Sequence, residues 1–181
     1  MEILIHICCG PCGTYSVKSL QDSGYNVKGY FYNPNIHPYL EFKKRLESAA
    51  ILADKYNIEL LYDDNYGLLE FTRMVSGKED KKRCIECFRE RMVGTALKAK
   101  NIGINKFTTS LFISPYQPQN LIIKAGNEAA EQTGLEFLYF NFSKGYRDSI
   151  EYSKNFGMYR QKYCGCIFSE YERFAKTEII I

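Results

Sequence analysis

The stretch ILIHICCGPCG, residues 3–13, decides how this chain is expected to fold. Its first half, ILIHI, is apolar and has the length of a buried strand, and the glycines and proline that follow are turn formers that end it. Within the turn, Cys8, Cys9 and Cys12 occupy three of five consecutive positions. The stretch therefore predicts a first strand that ends directly in a loop with three thiols.

The remainder of the chain alternates between strand and helix patterns. Strands are predicted at 27–32, 58–62, 105–110 and 135–140, and helices over about 12–23, 38–56, 84–100 and 119–132, with a less regular section between 62 and 84 and short helices around 164–166. Helices of this length between strands imply right-handed crossovers and a parallel sheet. We therefore predict an α/β fold: one domain over 1–181 with a mainly parallel, five-stranded open sheet of Rossmann-like type and helices on both faces.

Such a sheet gives the thiols a location. Open parallel sheets bind their ligands beyond the carboxyl ends of the strands. The cysteine loop leaves the first strand there, NPNIHP (33–38) leaves the second, and LFISPYQP (111–118) leaves the fourth. We therefore expect three unusual loops to meet at one crevice. His37 could bind substrate there or simply begin a helix, whereas His6, inside the first strand, is expected to be a core residue.

Composition places the chain among soluble globular proteins, with 45% hydrophobic and 25% charged residues. No apolar run approaches the roughly 18 residues of a membrane span, and the N-terminus lacks the pattern of a signal peptide. The expected location is therefore cytoplasmic, where thiols are kept reduced. Seven cysteines are also an odd number, so metal binding or catalysis is favoured over a disulfide framework.

The charge pattern leaves two interpretations open. The net charge is only +3, but the stretches 78–91 and 144–162 are both basic and both border cysteine pairs. An electropositive rim beside thiols would suit an anionic substrate such as RNA. Ordinary solvated helix faces would explain the same charges equally well.

The other four cysteines form two close pairs. Cys84 and Cys87 are three positions apart in a predicted helix, so both face one side, and Cys164 and Cys166 flank a glycine. Spacing alone leaves four interpretations open: a closed four-cysteine zinc site, a redox pair, an iron–sulfur cluster or scattered core cysteines. Three tight groups of thiols disfavour the last, and the thiols beyond four favour iron–sulfur modestly over zinc.

Five segments together resemble the cobalamin-independent epoxyqueuosine reductase family, the QueH type. They are HICCGPC (6–12), FYNPNIHPYLEFKKRLE (31–47), RCIECFRERM (83–92), TTSLFISPYQ (108–117) and GYRDSIEYSKNFGMYRQKYCGCIFS (145–169). These segments cover almost the whole chain in order. The vicinal cysteines, the FYNPNIHP loop and the YRQKYCGC run are each specific.

The resemblance implies a function and a fold type. Members of the family remove the epoxide oxygen of epoxyqueuosine at the wobble position of the tRNA anticodon, which gives queuosine. They carry a 4Fe–4S cluster and a nearby second iron, which zinc could replace in a preparation. Their sheet is similar to the HUP type of ATP pyrophosphatase-like enzymes. The implied partners are tRNA with a queuosine-type anticodon and an unidentified electron donor, with neither DNA nor membrane.

The resemblance also implies metal ligands. All seven cysteines are expected to bind metal: Cys8, Cys9, Cys12, Cys84, Cys87, Cys164 and Cys166. We expect the pair at 84 and 87 to hold the cluster with one thiol of the N-terminal loop, and the remaining N-terminal thiols to bind the second iron with Cys164 or Cys166. The catalytic thiols are expected to be Cys8, Cys9 and Cys166. Position 12 varies within the family, where Asp also occurs, so the scheme requires only six cysteines.

Substrate contacts follow from the same segments. Anticodon bases are usually splayed out and stacked on aromatic rings, and arginines bind phosphate with salt-sensitive affinity. The expected substrate-binding residues are Tyr32, Asn33, Asn35, His37, Tyr116, Gln117, Tyr146, Arg147, Tyr159 and Arg160. Core or rim packing is the alternative role for the tyrosines, and ion pairing is the alternative for the arginines.

Two other functions fit the same fold. An ATP-dependent tRNA-modifying enzyme would need an SGGxDS-type phosphate loop after the first strand, and CCGPC contains neither its Ser nor its Asp. A zinc-stabilised, non-catalytic tRNA-binding module would hold a colourless metal and bind tRNA without turnover.

Overall fold

The strand β1 (Glu2–His6) lies at the centre of the sheet in the computed structural model, which describes residues 1–175. Ile3, Leu4 and Ile5 are fully buried, as expected for an apolar strand covered on both faces. The strand therefore forms where the apolar run ILIHI predicts it.

Four further strands complete the sheet: β2 (Asn26–Phe31), β3 (Leu60–Tyr62), β4 (Lys106–Thr109) and β5 (Glu136–Phe137). Their order is β3-β2-β1-β4-β5, and every pairing is parallel. The predicted five-stranded parallel sheet is confirmed. The strand predicted at 135–140 is shorter than expected, because Phe140 and Phe142 leave the ladder and stack on each other, with ring centroids 5.5 Å apart.

Seven α-helices connect and cover the strands: α1 (Gly10–Asp22), α2 (Tyr39–Tyr56), α3 (Leu68–Val75), α4 (Asp80–Asn101), α5 (Gln119–Thr133), α6 (Tyr146–Asn155) and α7 (Ile167–Phe174). Helix α1 packs against α2, and α4 packs against α5. Strands β2 and β3 lie on one side of β1 in the sheet, and β4 and β5 lie on the other. Right-handed crossovers therefore place these two helix pairs on opposite faces of the sheet. None of the described helices is long and apolar enough to span a membrane.

Two helix predictions need correction. Helix α3 lies in the section predicted to be irregular, and its Phe71 and Val75, four positions apart, are buried. Helix α4 begins at Asp80 rather than at Cys84, so the CxxC pair lies in its second turn. Helix α3 is too short for its apolar spacing to indicate a helix by itself, and the first turn of α4 is polar in sequence, so its start has no apolar signal.

The direction in which successive strands are added to the sheet changes between β1 and β4. The loops that follow β1, β2 and β4 meet at this point. The backbone N–H of Cys8 donates to Ser110 Oγ at 3.3 Å, which joins the loops after β1 and β4. Asn33 Nδ2 donates to the carbonyl oxygen of Ile7 at 2.9 Å, which adds the loop after β2. A Cβ at Gly10 would lie 2.2 Å from the carbonyl oxygen of Ser48, so only glycine lets α1 approach α2 there. The predicted convergence is confirmed.

Candidate metal centre

The three thiols after β1 form a compact set, which we call the N-terminal thiol group: Cys8, Cys9 and Cys12. Their sulfur atoms all lie within 4.8 Å of one another. The chain bends at Cys8, and Cys9 is the extended residue before α1, with φ −174° and ψ 163°. Because the vicinal cysteines lie outside regular structure, both sulfurs can face the same side, and they are 3.8 Å apart.

This spacing fits one thiophilic metal ion. Tetrahedral thiolate sites have metal–sulfur bonds of about 2.3 Å, which places two sulfurs on the same ion about 3.8 Å apart. The Cys8–Cys9 separation of 3.8 Å equals that value. All seven cysteines of the chain are free thiols. The N-terminal thiol group therefore has the donor chemistry and the spacing of a mononuclear site.

Hydrogen bonds among these thiols set their protonation. Cys12 and Cys9 donate to the Cys8 sulfur, which lowers the pKa of Cys8, and the same interaction raises the pKa of Cys12. Burial raises the pKa of Cys9. These hydrogen bonds therefore favour the thiolate form at Cys8 over the other two sulfurs, and metal binding must release the protons that remain on the group.

The remaining four thiols form a second set, the four-cysteine group: Cys84, Cys87, Cys164 and Cys166. Cys166 packs against the small apolar cluster that contains Cys87. Burial raises the pKa of Cys87 to about 12, and charges on Cys164 and Cys166 add to that increase. The pKa of Cys84 is raised by burial and by the same two charges. The two cysteine pairs, distant in sequence, are therefore neighbours.

The four-cysteine group is wider than the first. In the described part of the chain, only the N-terminal thiol group brings three such ligand atoms within 4.8 Å of one another. A 4Fe–4S cluster has its irons at separate corners, so its cysteine ligands lie farther apart than the ligands of one ion. The four-cysteine group therefore does not have the ligand spacing of a single metal ion.

Arg45 attaches the second cysteine pair to α2. Its side chain is 1% exposed, and its Nη1 and Nη2 donate to the carbonyl oxygens of Cys164 and Tyr163 at 2.8 and 3.0 Å. Its Nε donates to Glu41 Oε1 at 2.8 Å. No role was predicted for Arg45 from the sequence. The available signal was a charged residue within the apolar stripe of a helix.

The NPNIHP loop supports the same segment through its backbone. The N–H of His37 donates to the carbonyl oxygen of Gly165 at 2.8 Å, and the Tyr163 hydroxyl donates to the carbonyl oxygen of His37 at 2.5 Å. Gly165 has φ +142°, and a Cβ there would lie 3.2 Å from Arg45 Nη1. Glycine is therefore required for the turn between the two cysteines.

A cavity of about 570 Å³ opens between the two thiol groups. Cys8, Cys12 and Cys164 contribute to its wall. Gln161 Nε2 donates to the Cys12 sulfur at 3.3 Å, and Gln117 Nε2 donates to the Cys164 sulfur at 3.2 Å. One cavity thus reaches sulfur atoms of both groups.

The cavity wall is basic and aromatic. Arg45, Lys162 and Arg173 line it, and none of its described lining residues is Asp or Glu. Tyr116 is 81% exposed and packs edge-on against Tyr146, with ring centroids 6.0 Å apart. Of the predicted substrate-binding residues, the structure brings Tyr116, Gln117 and Tyr146 to this cavity.

The other predicted substrate-binding residues do not line this cavity: Tyr32, Asn33, Asn35, His37, Arg147, Tyr159 and Arg160. Asn33, Asn35 and His37 are at most 2% exposed. Burial lowers the pKa of His37 to about 4. The hydroxyl groups of Tyr32 and Tyr159 donate to Glu90 and Glu41. These contacts support structural roles, and direct binding of substrate by these seven residues stays a prediction.

The two basic stretches differ in the structure. In the stretch 78–91, Lys78 pairs with Glu86, Arg83 with Glu172 and Arg89 with Glu128. The stretch 144–162 brings Lys162 to the cavity and carries two exposed arginines. The electropositive rim therefore comes from the second stretch and from Arg173.

The fold and the site together define a class: an α/β protein with a thiol-rich metal centre beside a basic cavity at the switch point of its sheet. Comparison with known proteins identifies the family. The family model described as Epoxyqueuosine reductase QueH matches residues 3–172. The chain belongs to this family of oxidoreductases, and the resemblance seen in its motifs is confirmed.

Several curated relatives carry the name Epoxyqueuosine reductase QueH, and three of them are compared with this chain. The chain is 41% identical to that of Dehalococcoides mccartyi over 97% of this chain and 96% of the relative. It is 33% identical to that of Thermotoga maritima over 96% and 93%. It is 39% identical to that of Helicobacter pylori over 92% of this chain but 49% of the relative.

A solved structure of a deacetylase–teicoplanin complex is also similar, with 12% identity and a TM-score of 0.47 over 76% of this chain and 68% of that chain. That likeness is too low to support any inference.

Proposed function

We propose that this chain reduces the epoxide of epoxyqueuosine, at the wobble position of a tRNA anticodon, to the alkene of queuosine. The observation that carries the proposal is one basic cavity bordered by sulfur atoms of both thiol groups. The name shared by the relatives supports the same reaction. The conversion takes up two electrons and two protons and releases the epoxide oxygen as water.

The two thiol groups suggest a division of metals. The four-cysteine group would hold the 4Fe–4S cluster, and the N-terminal thiol group would hold the second iron. When bound, such metals supply single electrons and a Lewis acid for the epoxide oxygen. The assignment differs from the sequence-based one, which gave one N-terminal thiol to the cluster. The compactness of the N-terminal thiol group supports the revision.

The cavity has the size and lining for a modified nucleoside. Its volume of about 570 Å³ lies within the usual range for small-molecule sites, roughly 300–1,000 Å³. A base that undergoes chemistry must leave its stack and enter such a pocket. Exposed Tyr116, edge-on to Tyr146, offers a ring for stacking, and Lys162 and Arg173 offer charge to phosphates.

One polar atom in the cavity wall is suited to orienting the substrate. Gln161 donates to the Cys12 sulfur through Nε2, while its Oε1 is buried and has no hydrogen-bond partner among the described residues. A buried acceptor without a partner is costly. A hydroxyl or amino hydrogen of the bound nucleoside would satisfy it and would place the substrate beside the N-terminal thiol group.

The predicted catalytic thiols are not equally supported. Cys8 lies in the cavity wall, whereas Cys9 is fully buried behind it. Cys166 packs beside Cys87 and accepts a hydrogen bond from the N–H of Ser169 at 3.4 Å. Cys8 is therefore the thiol best placed to face substrate, and Cys9 and Cys166 are better placed as ligands.

Nucleoside mass analysis tests the proposed reaction. The protein, reconstituted with iron and sulfide without oxygen, is incubated with tRNA that contains epoxyqueuosine and with a chemical reductant. We expect the modified nucleoside to lose one oxygen atom, and metal-free protein is the matched control. Unchanged nucleoside, with full iron and sulfide content verified, would refute the proposed reaction. A colourless zinc protein that binds tRNA without turnover would support the binding-module alternative.

A further inference from the structure

Arg91 in α4 is a buried cation that has no acidic partner among the described side chains. Its side chain is 2% exposed. Its Nε donates to the carbonyl oxygen of Cys87 at 3.0 Å, whereas its Nη2 is buried and has no hydrogen-bond partner in the part of the chain that the structure describes. Among the described residues, no carboxylate lies within 4.0 Å of it. Arg45, equally buried, differs because Glu41 pairs with it.

The position of Arg91 relates it to both thiol groups. Burial acts to lower the pKa of Arg91, but negative charge on Cys87, Cys164 and Cys8 raises it overall. Its charge in turn contributes, after burial, to lowering the pKa of His6 in β1. The charge of the guanidinium therefore acts on thiols of both groups.

Helix geometry explains this placement. Cys84, Cys87 and Arg91 are spaced by three and four positions, so they share one face of α4. The guanidinium packs over the Phe88 ring, 5.2 Å from its centroid, which limits its movement. The helix that supplies two of the four thiols thus also supplies the cation beside them.

An uncompensated buried charge costs several kcal/mol. The groups nearest to Arg91 that can carry negative charge are thiols, and thiols become anionic when they bind metal. Arg91 therefore gains its electrostatic partners in the metal-bound protein. A fixed positive charge and N–H donors near thiolate sulfur also stabilise the more negative, reduced state of a cluster.

We propose that Arg91 is a positioning residue that balances the thiolate charge between the two groups and makes the bound cluster easier to reduce. This inference rests on the proposed function in one respect, the presence of a cluster at the four-cysteine group. It assigns to Arg91 neither contact with substrate nor transfer of a proton.

The test compares Arg91→Met, which keeps length and loses charge, with Arg91→Lys, which keeps charge. Arg89→Met is the matched control, because Arg89 lies on the same helix, is 37% exposed and pairs with Glu128 at 2.7 Å. Iron and sulfide content is measured first, then the midpoint potential of the cluster by redox titration without tRNA. We expect a more negative potential for Arg91→Met, a smaller shift for Arg91→Lys, and no shift for the control.

Turnover gives a second readout. We expect kcat to fall by about 10- to 100-fold in Arg91→Met, with KM for tRNA close to wild type. A wild-type potential in fully loaded Arg91→Met would overturn the inference. A wild-type protein that binds no iron would instead refute the proposed function, and the inference with it.

The inference can also be tested if Arg91→Met takes up no cluster. Metal-free Arg91→Met should be at least as stable to heat as metal-free wild type, because the variant removes an unpaired buried charge. Arg91→Lys should then recover cluster content. A less stable metal-free Arg91→Met, or a lysine variant equally without cluster, would show that Arg91 serves the packing of α4 and not the charge of the metal centre.

Discussion

The N-terminal thiol group and the four-cysteine group are built in different ways. The first lies within one loop and one helical turn, so local geometry alone brings Cys8, Cys9 and Cys12 together. The second draws one pair from α4 and the other from the segment before α7, with Cys84 and Cys164 exposed. One group is set by chain geometry, whereas the other requires that two distant segments pack together.

This difference implies different sensitivities. Changes in α2 or in the NPNIHP loop should disturb the four-cysteine group, because both hold the segment around Gly165. The N-terminal thiol group should be less affected by the same changes, since Cys8 is bonded to the loop after β4 and only Cys12 accepts a hydrogen bond from Gln161 in the segment before the second cysteine pair. The comparison can be tested by metal content, by stability and by binding.

Removal of a ligand should have the largest effect. Cys84→Ala should abolish incorporation of the cluster and reduce epoxide reduction to background, because one corner of the cluster loses its thiolate. The measurement is iron and acid-labile sulfide per chain. Cys8→Ala should lower the iron content by one ion per chain, because the second iron is lost, and should leave the sulfide content unchanged. Wild-type iron and sulfide in Cys84→Ala would contradict the assignment of this thiol.

Arg45→Met should separate the two groups most clearly. Loss of one partner of a buried ion pair typically costs about 3–5 kcal/mol, and the carbonyl oxygens of Tyr163 and Cys164 would lose their donors. We expect a lower free energy of unfolding and loss of the cluster. The N-terminal thiol group should still bind one Co²⁺. This binding is measured by the absorbance of the cobalt–thiolate bonds.

The control for that variant is Lys43→Met, two positions earlier on α2 and exposed. It should leave stability, cluster content and Co²⁺ binding unchanged. If Arg45→Met lost Co²⁺ binding together with the cluster, the two groups would not be independent, and the contrast between them would fail.

Tyr116→Ala should weaken binding without changing either metal group. Stacking of a base on an aromatic ring contributes about 1–3 kcal/mol, so KM for tRNA should rise roughly tenfold or more at nearly constant kcat. Tyr62→Ala is the matched control, because Tyr62 is also exposed, at 59%, and lies on the edge strand β3 away from the cavity. An equal rise in both variants would argue against stacking at Tyr116.

A further prediction concerns pH. Burial lowers the pKa of His37, beside the four-cysteine group, and of His6, below the N-terminal thiol group, to about 4 each from 6.5. The unfolded chain then binds protons that the folded chain excludes. The contribution of these two histidines to the free energy of unfolding is therefore constant above about pH 6.5 and falls toward pH 4, by about 1.4 kcal/mol per pH unit for each histidine.

His37→Gln should reduce the pH dependence of the free energy of unfolding by the contribution of one histidine. The measurement is denaturant unfolding of the metal-free protein at pH 5, 6 and 7, with wild type as the reference. An unchanged slope would mean that His37 titrates in the folded protein as it does in the unfolded chain.

Local sequence patterns were enough to predict the central strand and the parallel sheet. The apolar run ILIHI predicted β1, and alternating strand and helix patterns predicted the parallel sheet, because such periodicity reports burial on one face or two. Helix α3 was missed although Leu68, Phe71 and Val75 recur at helical spacing. Its eight residues are too few for apolar spacing to distinguish a short helix from a strand or an irregular segment.

The cavity was partly predictable. Tyr116, Gln117 and Tyr146 were expected from motifs and lie in its wall. Arg45 and Arg91 were not assigned, although both are charged residues set among apolar neighbours on a helix. Sequence alone does not distinguish a buried, partnered arginine from a solvated one, because its partners come from other elements.

The sequence by itself determined the strand-end loop and its three neighbouring thiols, since backbone geometry limits how far residues within one loop and turn can separate. Only the tertiary structure decided which other sulfurs are neighbours. The bond from Arg45 to the carbonyl oxygen of Cys164 joins residues 119 positions apart. Such a contact depends on the packing of whole helices against the sheet, which no local pattern of residues specifies.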